Sequence, residues 1–239
     1  HPEFGHTVGV ETTTGPLGQG LATAVGMAMS ERFEAGLFPQ SPFAHRVWVI
    51  ASDGDLQEGI SGEASSLAGT QKLGHLNVIW DDNRISIEGD TQVAFTEDVS
   101  NRYRAYGWDV HEVDMAANGD VDITALHAAM VAAANTAGAP SFIRMRTTIA
   151  WPAPHARGTA KSHGSALGEV EVAALKQELG LDPQESFAFD PALVDRVRAA
   201  LGERTAHARK NWDADLATWR KEQAPAAALL DRLVAKELP

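Results

Sequence analysis

The chain has 239 residues, 44% of them apolar and 22% charged, which is enough for one sizeable α/β domain plus a helical appendage. A net charge of −12 argues against a nucleic-acid footprint, and no apolar run is long enough to span a membrane as a helix. The absence of cysteine excludes disulfides and thiolate chemistry and, with no leader ahead of the first element, favours the cytoplasm.

Residues 1–14 read as an extended loop, with His1-Pro2, Gly5, Gly9 and a run of three threonines. The loop enters GPLGQG, Gly15 to Gly20, and residues 17–35 then repeat small and apolar side chains in the manner of a helix. Gly26 inside it suggests close packing and Gly36 its end. Residues 47–50 form a β-branched run ending at Asp53-Gly54, residues 57–73 have helical composition, and a second apolar run, 76–80, ends at Asp81-Asp82-Asn83. Residues 85–97 suit a loop with a short extended piece, 97–106 a helix, 108–113 an alternating strand, 123–137 an alanine-rich helix and 141–147 another strand. Residues 148–167 form a loop rich in Pro, Gly and His, a length that points to function. Charged helices follow at 169–180, 191–201 and 204–224, with Trp212 and Trp219 as apolar anchors, and a last helix after Pro225. The expected fold class is therefore α/β, a doubly wound, mostly parallel sheet over residues 1–168, followed by a helical linker region over 169–239.

The strand–helix–strand between residues 47 and 83 is the informative unit. A right-handed crossover makes its strands parallel and brings Asp53 and Asn83, thirty residues apart, to their carboxyl ends, where open α/β sheets bind ligands. A carboxylate and an amide beside a glycine suit Mg²⁺ or Ca²⁺ holding a diphosphate, because these hard cations share oxygen ligands with phosphates. Either half alone reads equally well as an ordinary turn. Arg84, Arg157 and Lys161 could serve an anionic substrate despite the overall negative charge.

The Asp-Gly followed at this distance by Asn resembles the motif of the thiamine diphosphate fold, with Ser52 where the broad motif has Gly. The segments GVETTTGPLGQG, DGDLQEGISGEASSLAGTQKLG, DDNRISIEGDT and RYRAYGWDV resemble the transketolase family more closely, from His1 to about Leu167 and more weakly beyond. The resemblance covers the back part of that family's N-terminal cofactor domain and its linker helices. It implies thiamine diphosphate as cofactor, with Asp53, Asn83 and the main-chain carbonyl of Ile85 as metal ligands. By the same resemblance, the Gly54 amide and Asn83 serve the diphosphate, and Gly15, Pro16 and Leu17 line the thiamine rings. His163, in SHGSALG, would contact cofactor and substrate, and His1 would lie near the substrate's terminal hydroxyl.

Glu58 and Glu63, placed on one helix, would point about 140° apart and could not stack locally. The resemblance instead implies a homodimer whose two-fold brings copies of them together, with carboxylates that share protons and couple the two sites. It also implies transfer of a two-carbon ketol unit from a ketose phosphate to an aldose phosphate, as in the pentose phosphate pathway, with His163, His1, Glu58 and Glu63 as the catalytic set and sugar phosphates, neither nucleic acid nor membrane, as partners. The family's cofactor-activating glutamate and two upstream histidines have no counterpart in this sequence, so the chain is expected to be an inactive fragment by itself. A relative of the dihydroxyacetone synthase kind and a non-catalytic cofactor-binding module or subunit of a split enzyme are the other readings these residues allow.

Overall fold

Four parallel strands form the sheet around which the first part of the chain is built. The computed structural model describes residues 2–237, so His1 lies outside the described residues. In chain order the first elements are α1 (Gln19–Leu37), β1 (Val47–Ser52), α2 (Asp53–Gln57), α3 (Gly59–Thr70), β2 (Leu76–Asp82) and α4 (Val99–Ala105). They are followed by β3 (Asp109–Val113), α5 (Ile123–Asn135), β4 (Ser141–Arg146) and the short α6 (Lys161–Gly164). The chain ends in α7 (Glu169–Glu178), α8 (Pro191–Glu222) and α9 (Ala224–Val234). The strand order is β1-β2-β4-β3, with every pair parallel.

Helices cover both faces, which makes the sheet doubly wound as expected. On one face Leu76, Val78 and Trp80 of β2 and Phe142 of β4 pack with Leu21, Val25, Ala64, Ala68 and Tyr103 from the helices. On the other, Ile79, Val113 and Ile143 meet Ala129 and Ala133 of α5. The period-two alternation of each strand produces this division. Tyr103 stacks on Phe142 at a centroid distance of 3.8 Å, and its hydroxyl lies 2.9 Å from Ser65 Oγ, so α3, α4 and β4 are locked together.

Residues 1–29 and 46–183 form one compact unit, and 30–45 with 184–239 a second. α7 belongs with the first unit, into which Glu171 is bonded through His155. In the second unit Phe38, Trp219 and Ala227 form a small core, with Phe38 and Phe43 set edge-on to Trp219. The Trp212 and Trp219 indoles donate to the carbonyls of Pro42 and Pro39 at 3.0 and 3.1 Å.

Several local expectations need correction. Residues 191–222 are one continuous helix rather than two. Gly202 does not break it, because one internal glycine costs only about 1 kcal/mol against a long run of good helix formers. Gly36 lies inside α1, which ends at Leu37, and Gly26 faces open space, so it makes no close packing contact. The helix expected at 57–73 is α3, which starts only at Gly59, and a separate short helix, α2, occupies 53–57 where the Asp53-Gly54 turn was expected, with Glu58 between the two.

The close approach that does exist is at Gly69, where an added Cβ would lie 1.9 Å from the Tyr106 carbonyl oxygen. Gly69→Ala is expected to destabilise the first unit. Overpacking against backbone costs about 3 kcal/mol, more than the roughly 1 kcal/mol that alanine gains in a helix. A urea melt should show a lower midpoint; an unchanged midpoint would mean that α3 and α4 can separate freely here.

Candidate functional site

The site is built at the carboxyl ends of β1 and β2, whose register pairs Ser52 with Asp81. Ser52 caps α2: its hydroxyl and the Asp55 backbone and side chain form a reciprocal capping box. The Asp55 carboxylate does more than close that box. One oxygen accepts from Ser52 N and Ser52 Oγ, both at 2.8 Å, and the other accepts from Gly18 N at 2.9 Å. Asp55 thus ties GPLGQG to the Asp53-Gly54 turn. Gly18 takes a left-handed φ of +78°, and a Cβ there would come within 2.8 Å of Ile60, so this junction admits glycine alone. Beside it, the Leu17 side chain lies over Gly54, 3.3 Å from where a Cβ would sit. Gly15, Pro16 and Leu17 line a cavity of about 380 Å³ together with Asp55.

Asp53 opens α2 and is 7% exposed. Its Oδ2 accepts from the amides of Asn83 and Arg84 at 3.2 and 3.0 Å, and its Oδ1 accepts from the Trp80 indole at 3.3 Å. Burial first, and the charge of Asp82 second, push its pKa up to about 6; the two amides and the indole work in the opposite direction. The carboxylate lines a second cavity of about 460 Å³ with Trp80, Asp82, Arg84 and Arg144.

The turn after β2 has a fixed shape. Asn83 Oδ1 accepts from Ile85 N at 2.9 Å, and Arg84 adopts a left-handed φ of 61°. A short hairpin continues it, closed by Thr91 N to Arg84 O and Ser86 N to Gly89 O, so neither bond uses the Ile85 carbonyl. Asp53 and the turn bearing Asn83 and Ile85 are therefore brought together. Among the described residues no group of three or more His, Cys, Asp or Glu is placed to hold a metal. One carboxylate, one amide oxygen and a carbonyl that neither hairpin bond uses nevertheless form a donor set suited to a hard cation that shares oxygens with a diphosphate. Both lone pairs of Asp53 Oδ2 are taken by the Asn83 and Arg84 amides, but Asp53 Oδ1 and Asn83 Oδ1 each accept one bond and keep a second lone pair, so the residues fit such a group through those two oxygens.

Glu58 closes α2 and precedes α3 with extended backbone (φ −71°, ψ 138°), so it does not share a helix with Glu63. The 140° separation between them does not apply, and both are exposed in this chain.

His163 sits exposed on α6, inside the loop expected at 148–167. That loop is tightly braced. The Glu171 carboxylate accepts from His155 N and Ala156 N, both at 2.8 Å, and lies 2.9 Å from His155 Nδ1. The His155 amide bond leads the contacts that hold Glu171 below the usual carboxylate range. The Ala156 carbonyl in turn accepts from Thr159 Oγ1 at 2.7 Å and Ser162 Oγ at 2.5 Å, next to His163. Sequence reasoning missed Asp55, Trp80 and Glu171. Only Asp55 carried a readable signal, the Ser-x-x-Asp spacing of a capping box.

The whole chain, residues 1–239, matches the family described as transketolase, thiamine diphosphate binding domain. It is 49% identical over its full length to the transketolase of Mycobacterium leprae and 40% identical to transketolase 1 of Saccharomyces cerevisiae, covering 34% and 35% of those proteins. Among solved structures, it superposes on transketolase from Leishmania mexicana with a TM-score of 0.90 at 39% identity. For Pichia stipitis transketolase in complex with sedoheptulose 7-phosphate the values are 0.89 and 38%. In both cases all of this chain covers 35% of the other. The chain thus spans about a third of the length of the relatives it matches.

Proposed function

The chain belongs to the transketolase family, and on that premise we propose that it forms the diphosphate-holding part of an enzyme that moves a two-carbon ketol unit from a ketose phosphate to an aldose phosphate. The observation that carries this reading is the convergence of Asp53 with the amides of Asn83 and Arg84, beside Leu17 over Gly54. Asp53, Asn83 and the Ile85 carbonyl would hold Mg²⁺ or Ca²⁺. The Gly54 amide would meet the diphosphate, and Gly15, Pro16 and Leu17 would line the rings. When bound, thiamine diphosphate supplies the carbon nucleophile that the protein's own side chains lack.

The protein's contribution is placement and proton handling. The metal ligands would neutralise the diphosphate, and the braced loop would hold His163 so that a ring nitrogen hydrogen-bonds substrate hydroxyls and the oxygen that gains charge. His1 would add a second hydrogen bond at the far end of the sugar. Glu58 and Glu63, exposed on this chain, would face their copies across a homodimer two-fold. A cytoplasmic place of action fits the cysteine-free composition, and no described helix is long and apolar enough to cross a membrane.

The test is a coupled assay on the natural-length protein, from xylulose 5-phosphate and ribose 5-phosphate to glyceraldehyde 3-phosphate. Turnover that requires both thiamine diphosphate and Mg²⁺ is expected; none at saturating levels of both would overturn the proposal. Repeating the assay with other aldehyde acceptors separates a transketolase from a dihydroxyacetone synthase.

A further inference from the structure

The peptide group between Asp82 and Asn83 is gripped at both of its polar ends. Its N–H, on Asn83, is shared between Asp53 Oδ2 and the Asp81 carbonyl, each at 3.2 Å. Its carbonyl, on Asp82, accepts from Arg146 Nη1 at 2.8 Å and from Thr147 N at 3.1 Å. The same Arg146 nitrogen donates its other hydrogen to Asp82 Oδ1 at 3.0 Å, so one guanidinium end holds both the main chain and the side chain of Asp82. β2 and β4 pair with Asp82 opposite Arg146, which places this grip on the last residue before the ligand-bearing turn. The Asp82 side chain is almost wholly buried, and its other oxygen accepts from Arg144 Nε at 2.6 Å. Arg144 is in turn joined through Glu112 to Arg104.

The two arginines therefore do different work. Arg144 supplies a charge partner for Asp82 from the side. Arg146 also sets the plane of the peptide whose N–H aims at Asp53, and polarises it, because a carbonyl that accepts charge-assisted hydrogen bonds makes its own N–H a stronger donor. Rotation of that peptide would withdraw one of the two amides on Asp53 and move Asn83 with it.

We propose that Arg146 is a positioning residue for the divalent-metal and diphosphate site, acting through the 82–83 peptide group. The inference rests on the reading of Asp53 and Asn83 as metal ligands. Residues that orient metal ligands typically change affinity by about 10–100-fold when removed. Arg146→Met keeps the aliphatic stem and deletes the donors. The remaining Arg144 keeps Asp82 paired, so the variant is not left with an orphan buried carboxylate. A lysine at 146 has ammonium hydrogens enough to reach both acceptors.

The experiment measures the Mg²⁺ concentration for half-maximal thiamine diphosphate binding by calorimetry, in the natural-length protein and in its Arg146→Met, Arg146→Lys and Asp53→Ala variants, with a thermal melt of each. The expected result is a rise of about 10–100-fold for Arg146→Met, largely reversed in Arg146→Lys, and loss of tight binding for Asp53→Ala. Unchanged half-saturation in Arg146→Met beside loss of tight binding in Asp53→Ala would overturn the role of Arg146 alone, and so would a lowered melting temperature with normal half-saturation. Normal binding in Asp53→Ala would remove the metal-site reading and this inference with it.

Discussion

Asp53→Ala is expected to abolish tight binding of thiamine diphosphate while leaving the metal-free protein at least as stable as before. Removing one partner from a desolvated charge pair costs about 3–5 kcal/mol, which corresponds to roughly a 10²–10⁴-fold loss of affinity. The stability side has the opposite sign. Burial raises the Asp53 pKa from 3.8 to about 6, so between those values the folded chain holds a proton that the unfolded chain has released. Stability from this group therefore falls as pH rises through that window, and above it the native state bears the cost of a buried, charged carboxylate. A shift of this size is worth on the order of 3 kcal/mol, and the lost amide and indole bonds offset part of it. Melts of the metal-free protein at pH 5 and pH 7.5 should show the pH 7.5 value rising relative to pH 5 on substitution. Calorimetry in saturating Mg²⁺ reads the other half, and unchanged cofactor affinity would refute Asp53 as a metal ligand.

His163→Ala is expected to lower turnover or raise the apparent KM for the sugar substrate, with cofactor affinity changed far less. The residue is exposed at the end of a loop pinned by Glu171, so its ring supports no core. Loss of one hydrogen-bond donor to an oxygen that gains charge in the transition state costs about 2.7–4 kcal/mol, or about 10²–10³ in turnover. Steady-state kinetics with ketose and aldose varied in turn measure this directly. Parameters equal to those of the unsubstituted protein for both would return His163 to an ordinary surface residue.

The βαβ frame was legible because its signals are local. β-branched runs mark β1 and β2, and the crossover between them dictates that Asp53 and Asn83 emerge side by side. Glu58 was misplaced for an equally local reason. Glutamate is a good helix former, and nothing in QEGIS announces that the backbone turns extended there. The arginines of β4 were illegible for a different reason. Arg144 and Arg146 in a strand read as a solvated end, and their partner Asp82 lies 62 and 64 residues away in sequence. Glu171 reads as one more helix glutamate until the loop it holds is folded against it. Long-range polar pairing leaves no periodicity in a sequence, whereas burial of a strand or helix face does.

The strand order β1-β2-β4-β3 also sets a timetable during synthesis. β1 and β2 can pair as soon as α3 has formed, but the partner that completes β2 is β4, and Arg146 follows Asp82 by 64 residues. At about 5–20 residues per second, β4 leaves the ribosome roughly 3–13 s after β2. Throughout that interval the apolar sequence Leu76–Trp80 presents an unpaired edge, the kind of template on which nascent chains aggregate. Whatever shields the nascent chain must cover this edge for seconds, and the Asp82 carbonyl meets its Arg146 and Thr147 donors only when β4 slots in beside β2.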